Sequence, residues 1–161
     1  MATIRPFLWF DVNAKDARDF YLSVFKNAKA LGETELTDWV SGTNKTVPIA
    51  TFDFELEGLR FTALNAGPRP PFNERLSLYI ETKDQRETDY YWEALTAGGG
   101  FERPCGWLQD KFGVYWQVIP EITLRLMADP NREKADRARQ AMYKMTKIIV
   151  ADLQAAYEGN A

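Results

Sequence analysis

Cys105-Gly-Trp-Leu-Gln-Asp-Lys-Phe-Gly-Val-Tyr-Trp-Gln-Val-Ile-Pro120 closes the second copy of a pattern that the chain runs through twice. Each copy opens on an apolar strand, turns at acidic or amide residues, and continues into a helix with an aromatic pair. The first copy reads Pro6-Phe-Leu-Trp-Phe-Asp-Val-Asn-Ala-Lys-Asp-Ala-Arg-Asp-Phe-Tyr21. The second reads Leu76-Ser-Leu-Tyr-Ile-Glu-Thr-Lys-Asp-Gln-Arg-Glu-Thr-Asp-Tyr-Tyr91, followed by Trp92. Their ends also correspond, because Leu59-Arg-Phe-Thr-Ala-Leu-Asn-Ala-Gly-Pro68 and Lys111 to Pro120 are both strand-like and both stop at proline. Repetition of this kind marks an internal duplication of half a domain.

Local signals fill in each copy. Residues 5–11 alternate as a strand, with Trp9 and Asp11 on one side and Leu8 and Phe10 on the other. Asn13 is placed to cap a helix that presents Ala17, Phe20, Tyr21 and Val24 on one face. A strand with a glycine kink is expected over 28–37 and a turn over Ser41–Asn44. From Thr46 to Glu57, Ala50, Phe52, Phe54 and Leu56 alternate with Ile49, Thr51, Asp53 and Glu55, and Glu57-Gly58 then turns the chain into Leu59 to Asn65. Gly67-Pro-Arg-Pro-Pro71 is too poor in amide donors for a central strand and reads as the linker. In the second copy a strand is expected over 76–82, a helix over 84–97 stopped by Gly98-Gly-Gly100, and short strands up to Pro120. Asp129-Pro130 opens a helix with Ala135, Ala138, Met142 and Met145 at helical spacing, and 150–157 is a second amphipathic piece. Arg132, Lys134, Arg137 and Arg139 alternate with Glu133 and Asp136 and read as a solvated helix face.

Composition narrows the function. A chain of 161 residues that is 45% hydrophobic supports one domain with a real core. A net charge of -3, from 20 basic and 23 acidic residues, offers no footprint for nucleic acid. No stretch approaches the roughly 20 apolar residues of a membrane span, and the start lacks the signature of a secretory leader. With a single cysteine, which has no partner for an internal disulfide, the expectation is a soluble, cytoplasmic protein. The absence of histidine removes Ser-His-Asp hydrolysis, histidine general-base chemistry and histidine-ligated zinc or iron.

A tandem βαβββ arrangement of this size resembles the vicinal oxygen chelate superfamily, which includes glyoxalase I, bleomycin-resistance proteins, extradiol dioxygenases and fosfomycin-resistance enzymes. Pro6-Phe-Leu-Trp-Phe-Asp11, Ala63-Leu-Asn-Ala-Gly-Pro68, Phe72-Asn-Glu74, Asp84-Gln85, Tyr91-Trp-Glu93, Cys105 to Gly113 and Trp116-Gln-Val-Ile-Pro120 are similar to its PhnB-like subfamily, which carries the label 3-demethylubiquinone-9 3-methyltransferase. The resemblance spans residues 4–157. It implies an α+β, glyoxalase-like fold in which tandem βαβββ modules form a curved mixed sheet, with C-terminal helices added. A single domain over 1–161 is expected, with modules at about 4–67 and 75–120 and a helical extension at about 121–158. It also implies a homodimer.

Metal-bearing members of the superfamily take one ligand from the first and last strand of each module, positions that fall near Pro6, Ala63, Arg75 and Gln117. Those residues cannot hold a divalent ion, and a shift of one or two places brings in only Asp11, Asn65, Glu74 or Glu81. No glycine-rich turn follows the first strand to cradle S-adenosylmethionine. No cofactor is therefore expected. The leading expectation is a metal-free protein that binds a small apolar or aromatic ligand in the cup between its modules. Candidate ligand contacts are Trp9, Asn65, Phe72, Tyr79, Trp107, Tyr115 and Gln117. Most aromatics in such a chain fill the core, so Asn65 and Gln117, polar residues on apolar strands, stand out. The alternatives are an enzyme acting on a carbonyl or quinone-like molecule through Glu74 or Cys105, and a divalent-metal lyase or dioxygenase with carboxylate ligands.

Overall fold

The computed structural model describes residues 2–36, 39–40 and 46–160. It divides between Pro71 and Phe72 into two compact units, 1–71 and 72–161. The expected Ser41–Asn44 turn lies outside the described residues.

The first unit runs β1 (Phe7–Phe10), α1 (Ala14–Val24), β2 (Ala28–Glu35), a short hairpin of β3 (Trp39–Val40) and β4 (Thr46–Val47), β5 (Ala50–Leu56) and β6 (Leu59–Asn65). Its four-stranded sheet has the order β1-β6-β5-β2, with β1 parallel to β6 and the other pairs antiparallel. The alternation in β5 appears as burial of Ala50, Phe52, Phe54 and Leu56, each flanked by half-exposed neighbours. Those residues face α1, where Tyr21 stacks toward Phe54 and Phe54 stacks on Phe61 with ring centres 5.1 Å apart. Removing each such ring from water is worth about 1.5–3 kcal/mol, which fixes the register, because a slip of one residue would expose them all. Glu57 and Gly58 both adopt positive φ (47° and 85°), the two-residue turn whose twist suits a hairpin. Asn27 steadies the non-glycine member, donating from its backbone N–H and its Nδ2 to the Glu57 carboxylate.

The second unit repeats the plan. It runs β7 (Leu78–Thr82), α2 (Gln85–Thr96), β8 (Phe101–Glu102), a 3-10 turn at Pro104–Gly106, β9 (Trp107–Gln109) and β10 (Tyr115–Pro120). The sheet order β7-β10-β9-β8, with β7 parallel to β10, reproduces the first unit strand for strand. On one face Leu108, Trp116, Val118 and Thr82 lie under α2, tied by the Thr82 and Thr88 hydroxyls 2.6 Å apart. Asp84 caps α2 by accepting from the Glu87 N–H, and Glu87 returns the bond to the Lys83 N–H.

Three helices follow: α3 (Glu121–Met127), α4 (Arg132–Met142) and α5 (Val150–Glu158). Helix α3 starts directly after Pro120, where the helical extension was expected to begin, and α4 begins two residues later than the Asp129-Pro130 signal suggests, because Asn131 is its cap. The basic residues of α4 are engaged locally. Lys134 pairs with Glu158, Arg139 with Asp136, and Arg137 with Glu133 and with the carbonyls that end α5. This extension is fastened to the second sheet by backbone bonds from the Cys105 and Gly106 N–H groups to the Met145 and Thr146 carbonyls (2.8 and 2.7 Å). Gln85 bridges the Ile148 carbonyl and the Val150 N–H, and Lys147 pairs with Asp89. Ile148 is fully buried in a cluster with Ile119, Ala138 and Leu153. Among the described residues, no helix is long and apolar enough to cross a membrane.

Candidate functional site

Strand register decides which side chains each sheet leaves on the face away from its helix. In the second unit Gln117 of β10 is paired with Tyr79 of β7 on one side and Trp107 of β9 on the other, so the three form one row across the open face. Gln117 Nε2 donates to Ser77 Oγ at 2.9 Å, which fixes the amide flat against the sheet. The next row along β10 holds Tyr115 opposite Gln109, whose Nε2 donates to the Gly113 carbonyl. Tyr79 is 45% exposed and Gln117 and Trp107 are half-buried, so the row presents an aromatic–amide–aromatic surface. Partial burial, with the nearby Glu81 carboxylate second, raises the Tyr79 phenol above its ordinary pKa of 10.0, so it stays a neutral donor.

The equivalent row in the first unit is Trp9, Leu64 and Thr51. There Trp9 is occupied: its Nε1 donates to the Gly67 carbonyl at 3.0 Å, and the Arg69 guanidinium lies 4.4 Å from its ring centre. Asn65 lies on the other face, 8% exposed, and its Oδ1 accepts from the Ala14 N–H at 2.7 Å. It caps α1 from across the unit, while Asn13 makes no side-chain cap bond. Ala63, one of the positions taken from the superfamily's metal pattern, is fully buried beside Leu8 and Phe52 on the helix-covered face.

The remaining candidates sit near the mouth of the second sheet. Phe72 lies by the Gly113 turn. That turn is built by buried Asp110, which accepts from the N–H groups of Phe112 and Val114 and from Trp116 Nε1. Glu74 is ion-paired to Arg103 Nη2 at 2.9 Å. Cys105 is half-buried and holds a left-handed φ of 63°, a conformation explained by its N–H reaching Met145. Ser77, Gln109 and Arg103 were not singled out by sequence; only the pairing of β7, β9 and β10 brings them to this face.

These surfaces do not suit the groups that the fold suggests. On the open faces the first and last strands of each unit carry Phe7, Trp9, Arg60, Thr62 and Leu64, then Tyr79, Glu81, Tyr115, Gln117 and Ile119. Glu81 is a single carboxylate in that set with no imidazole beside it, and among the described residues no group of three His, Cys, Asp or Glu comes together. The strand-to-helix turns, where S-adenosylmethionine would need free N–H groups, are already capped by Asn65 and Asp84.

Paired βαβββ units with one helix-covered and one open sheet face define a glyoxalase-like protein of the vicinal oxygen chelate superfamily. Residues 2–119 match the family described as 3-demethylubiquinone-9 3-methyltransferase, and the chain belongs to that family, in its PhnB-like branch. The PhnB protein from Bacillus cereus is similar at 25% identity and a TM-score of 0.61, over 74% of this chain and 99% of that one. Protein PA1353 from Pseudomonas aeruginosa is similar at 20% identity and a TM-score of 0.58, over 75% and 98%. The fosfomycin resistance protein FosX from Listeria monocytogenes is matched at 16% identity and a TM-score of 0.49, over 78% and 96%. No curated protein matches the sequence. The first two relatives are matched over nearly their whole length, and the family match ends at residue 119, so helices α3 to α5 are an addition to the family fold.

Proposed function

We propose that this protein binds a small, flat, apolar or aromatic molecule on the open face of its second module, without a metal, and acts as a cytoplasmic homodimer. The observation that carries the reading is the Tyr79–Gln117–Trp107 row, in which two aromatic side chains flank an amide held in place by Ser77. Such a surface stacks on a ring while the amide offers one oriented polar contact. The methyltransferase name of the family finds no counterpart in the turns of this chain, and the donor set of the open faces supports a metal-free site. The homodimer follows the family resemblance, and sedimentation of a monomer at micromolar concentration would remove that part.

Titration with 2-naphthamide, followed by tryptophan fluorescence, tests the binding reading. Replacing Trp107 by Ala or Tyr79 by Ala should weaken binding on the order of tenfold, the effect of losing one aromatic contact. Tyr79 is the safer site, because its exposure means the fold does not depend on it. Tyr90→Ala, on an exposed position of α2, should change nothing. Unchanged affinity in both Trp107→Ala and Tyr79→Ala would place the ligand elsewhere.

A further inference from the structure

Resting on that binding site, we infer that its ligand is a flat aromatic monoanion whose carboxylate-like group is received by Arg103 and Arg75 at the Tyr115 end of the open face. The two ends of the open face along β10 differ in kind. Beyond Gln117 the next open-face position is Ile119, 5% exposed and covered by Ile148 of the extension. A Cβ added at Gly106 would come within 2.4 Å of Ile119 Cδ1 and 3.3 Å of Ile148 Cγ1, so this end is packed shut with hydrocarbon. Glu81, opposite Ile119 on β7, is exposed there and would repel an anion.

The opposite end is cationic and borders a cavity, with Tyr115 itself 8% exposed. Tyr115 lines a cavity of about 380 Å³ with Asn73, Glu74 and Arg75. The Arg103 guanidinium lies 5.9 Å from the Tyr115 ring centre and gives Nη2 to Glu74, while its Nε is buried without an acceptor. Arg75 is exposed and forms no ion pair among the described residues. Two arginines thus accompany one carboxylate, leaving a net positive end. That geometry matches a carboxylate better than a bulkier or neutral group. From Tyr115 to Ile119 the strand advances roughly 13 Å at about 3.3 Å per residue, which suits one or two fused rings bearing one acidic group.

The test compares 2-naphthoate with neutral 2-naphthamide at pH 7 and low salt. The unmodified protein should favour the carboxylate on the order of tenfold, the usual worth of a hydrogen bond to a charged group. Arg103→Gln should bring the ratio near one with 2-naphthamide affinity retained, and Arg75→Gln should reduce the ratio. Arg86→Gln, an equal charge change on α2, should leave it alone. A ratio near one in the unmodified protein, or a preference that survives Arg103→Gln, overturns the inference while leaving the aromatic site standing. If 2-naphthamide itself does not bind, or binds independently of Tyr79 and Trp107, the site falls and the inference falls with it.

Discussion

Replacing Gly106 with alanine separates two physical effects that the fold combines at one residue. Gly106 has φ of +80°, a left-handed conformation that costs an L-residue about 1–2 kcal/mol. Its new methyl would also meet Ile119 Cδ1 at 2.4 Å and the Val118 carbonyl oxygen at 3.0 Å. The isoleucine could yield in open surroundings, but here it is 5% exposed and backed by fully buried Ile148. Overpacking of a closed core adds about 1–3 kcal/mol, so the expected loss is about 2–5 kcal/mol. Two other glycines calibrate the number. Gly58 shares the left-handed φ (+85°) with nothing within 4 Å, so Gly58→Ala should lose only the backbone cost of about 1–2 kcal/mol. Gly32 has neither problem, and Gly32→Ala should be neutral or stabilising by up to about 1 kcal/mol through the unfolded chain. Urea unfolding followed by tryptophan fluorescence and far-ultraviolet circular dichroism gives all three values. If Gly106→Ala is no more destabilising than Gly58→Ala, the packing of the extension onto β10 is not as described.

Asp110→Ala strands three buried donors at once and should cost about 3–5 kcal/mol in the same assay, with Trp116 fluorescence reporting the loosened turn. Asn65→Ala removes the cap on α1 and should cost about 1 kcal/mol while leaving 2-naphthamide affinity intact; a large loss of affinity would restore Asn65 to the ligand site. The Asp89 carboxyl is held below its ordinary 3.8 by hydrogen bonds from Lys147, then Gln85, and Asp129 by the Asn131 N–H, then Tyr157. Both are depressed carboxylates, so their contribution is complete above 3.8 and is lost as pH falls through the lower folded values. Protection of the Cys105 and Gly106 amides, taken as exchange relative to the intrinsic rate at each pH, should therefore fall on acidification below 3.8, and Asp89→Asn should lessen that dependence; an unchanged pH profile in the variant would sever Asp89 from the docking.

Period and repetition carried most of the fold. The alternation through β5 and the doubled strand–helix order survive as drawn, while the helix face of α1 keeps Ala17, Tyr21 and Val24 but buries Arg18 more fully than Phe20. What failed to be legible depended on residues far apart in sequence. Asn65 was visible as a polar residue needing a partner, but that partner is the Ala14 N–H, and rules for helix caps look only to adjacent residues such as Asn13. Ala63 was placed by counting from the helices, and a difference of one residue in β6 moves a side chain from the open face to the covered one. Gln117 stood out as an amide on an apolar strand, yet its neighbours Tyr79 and Trp107 become a surface only through strand pairing. Arg103 was legible only as a charge near Cys105, and its place against Glu74 and Tyr115 depends on residues far apart in sequence. The start of the helical extension at about 121 was legible, but not the separate helix α3 ahead of α4, because Pro120 ends one element and begins the next.

The attachment of the added helices has a consequence for how this chain tolerates change. The bonds from Cys105 and Gly106 run to main-chain oxygens, so the identities of Met145 and Thr146 are nearly immaterial to them. The left-handed pair at 105–106 works as a socket built by the family module, and any strand-like segment that carries an apolar residue shortly beyond the contact can plug into it. Substitutions will accumulate freely at 146, and be resisted at Met145, whose side chain packs on the same cluster, and at Ile148. A chain cut short before that residue would bare the socket and the flank of Ile119 together, leaving a protein that is folded through its second sheet but adhesive at one edge.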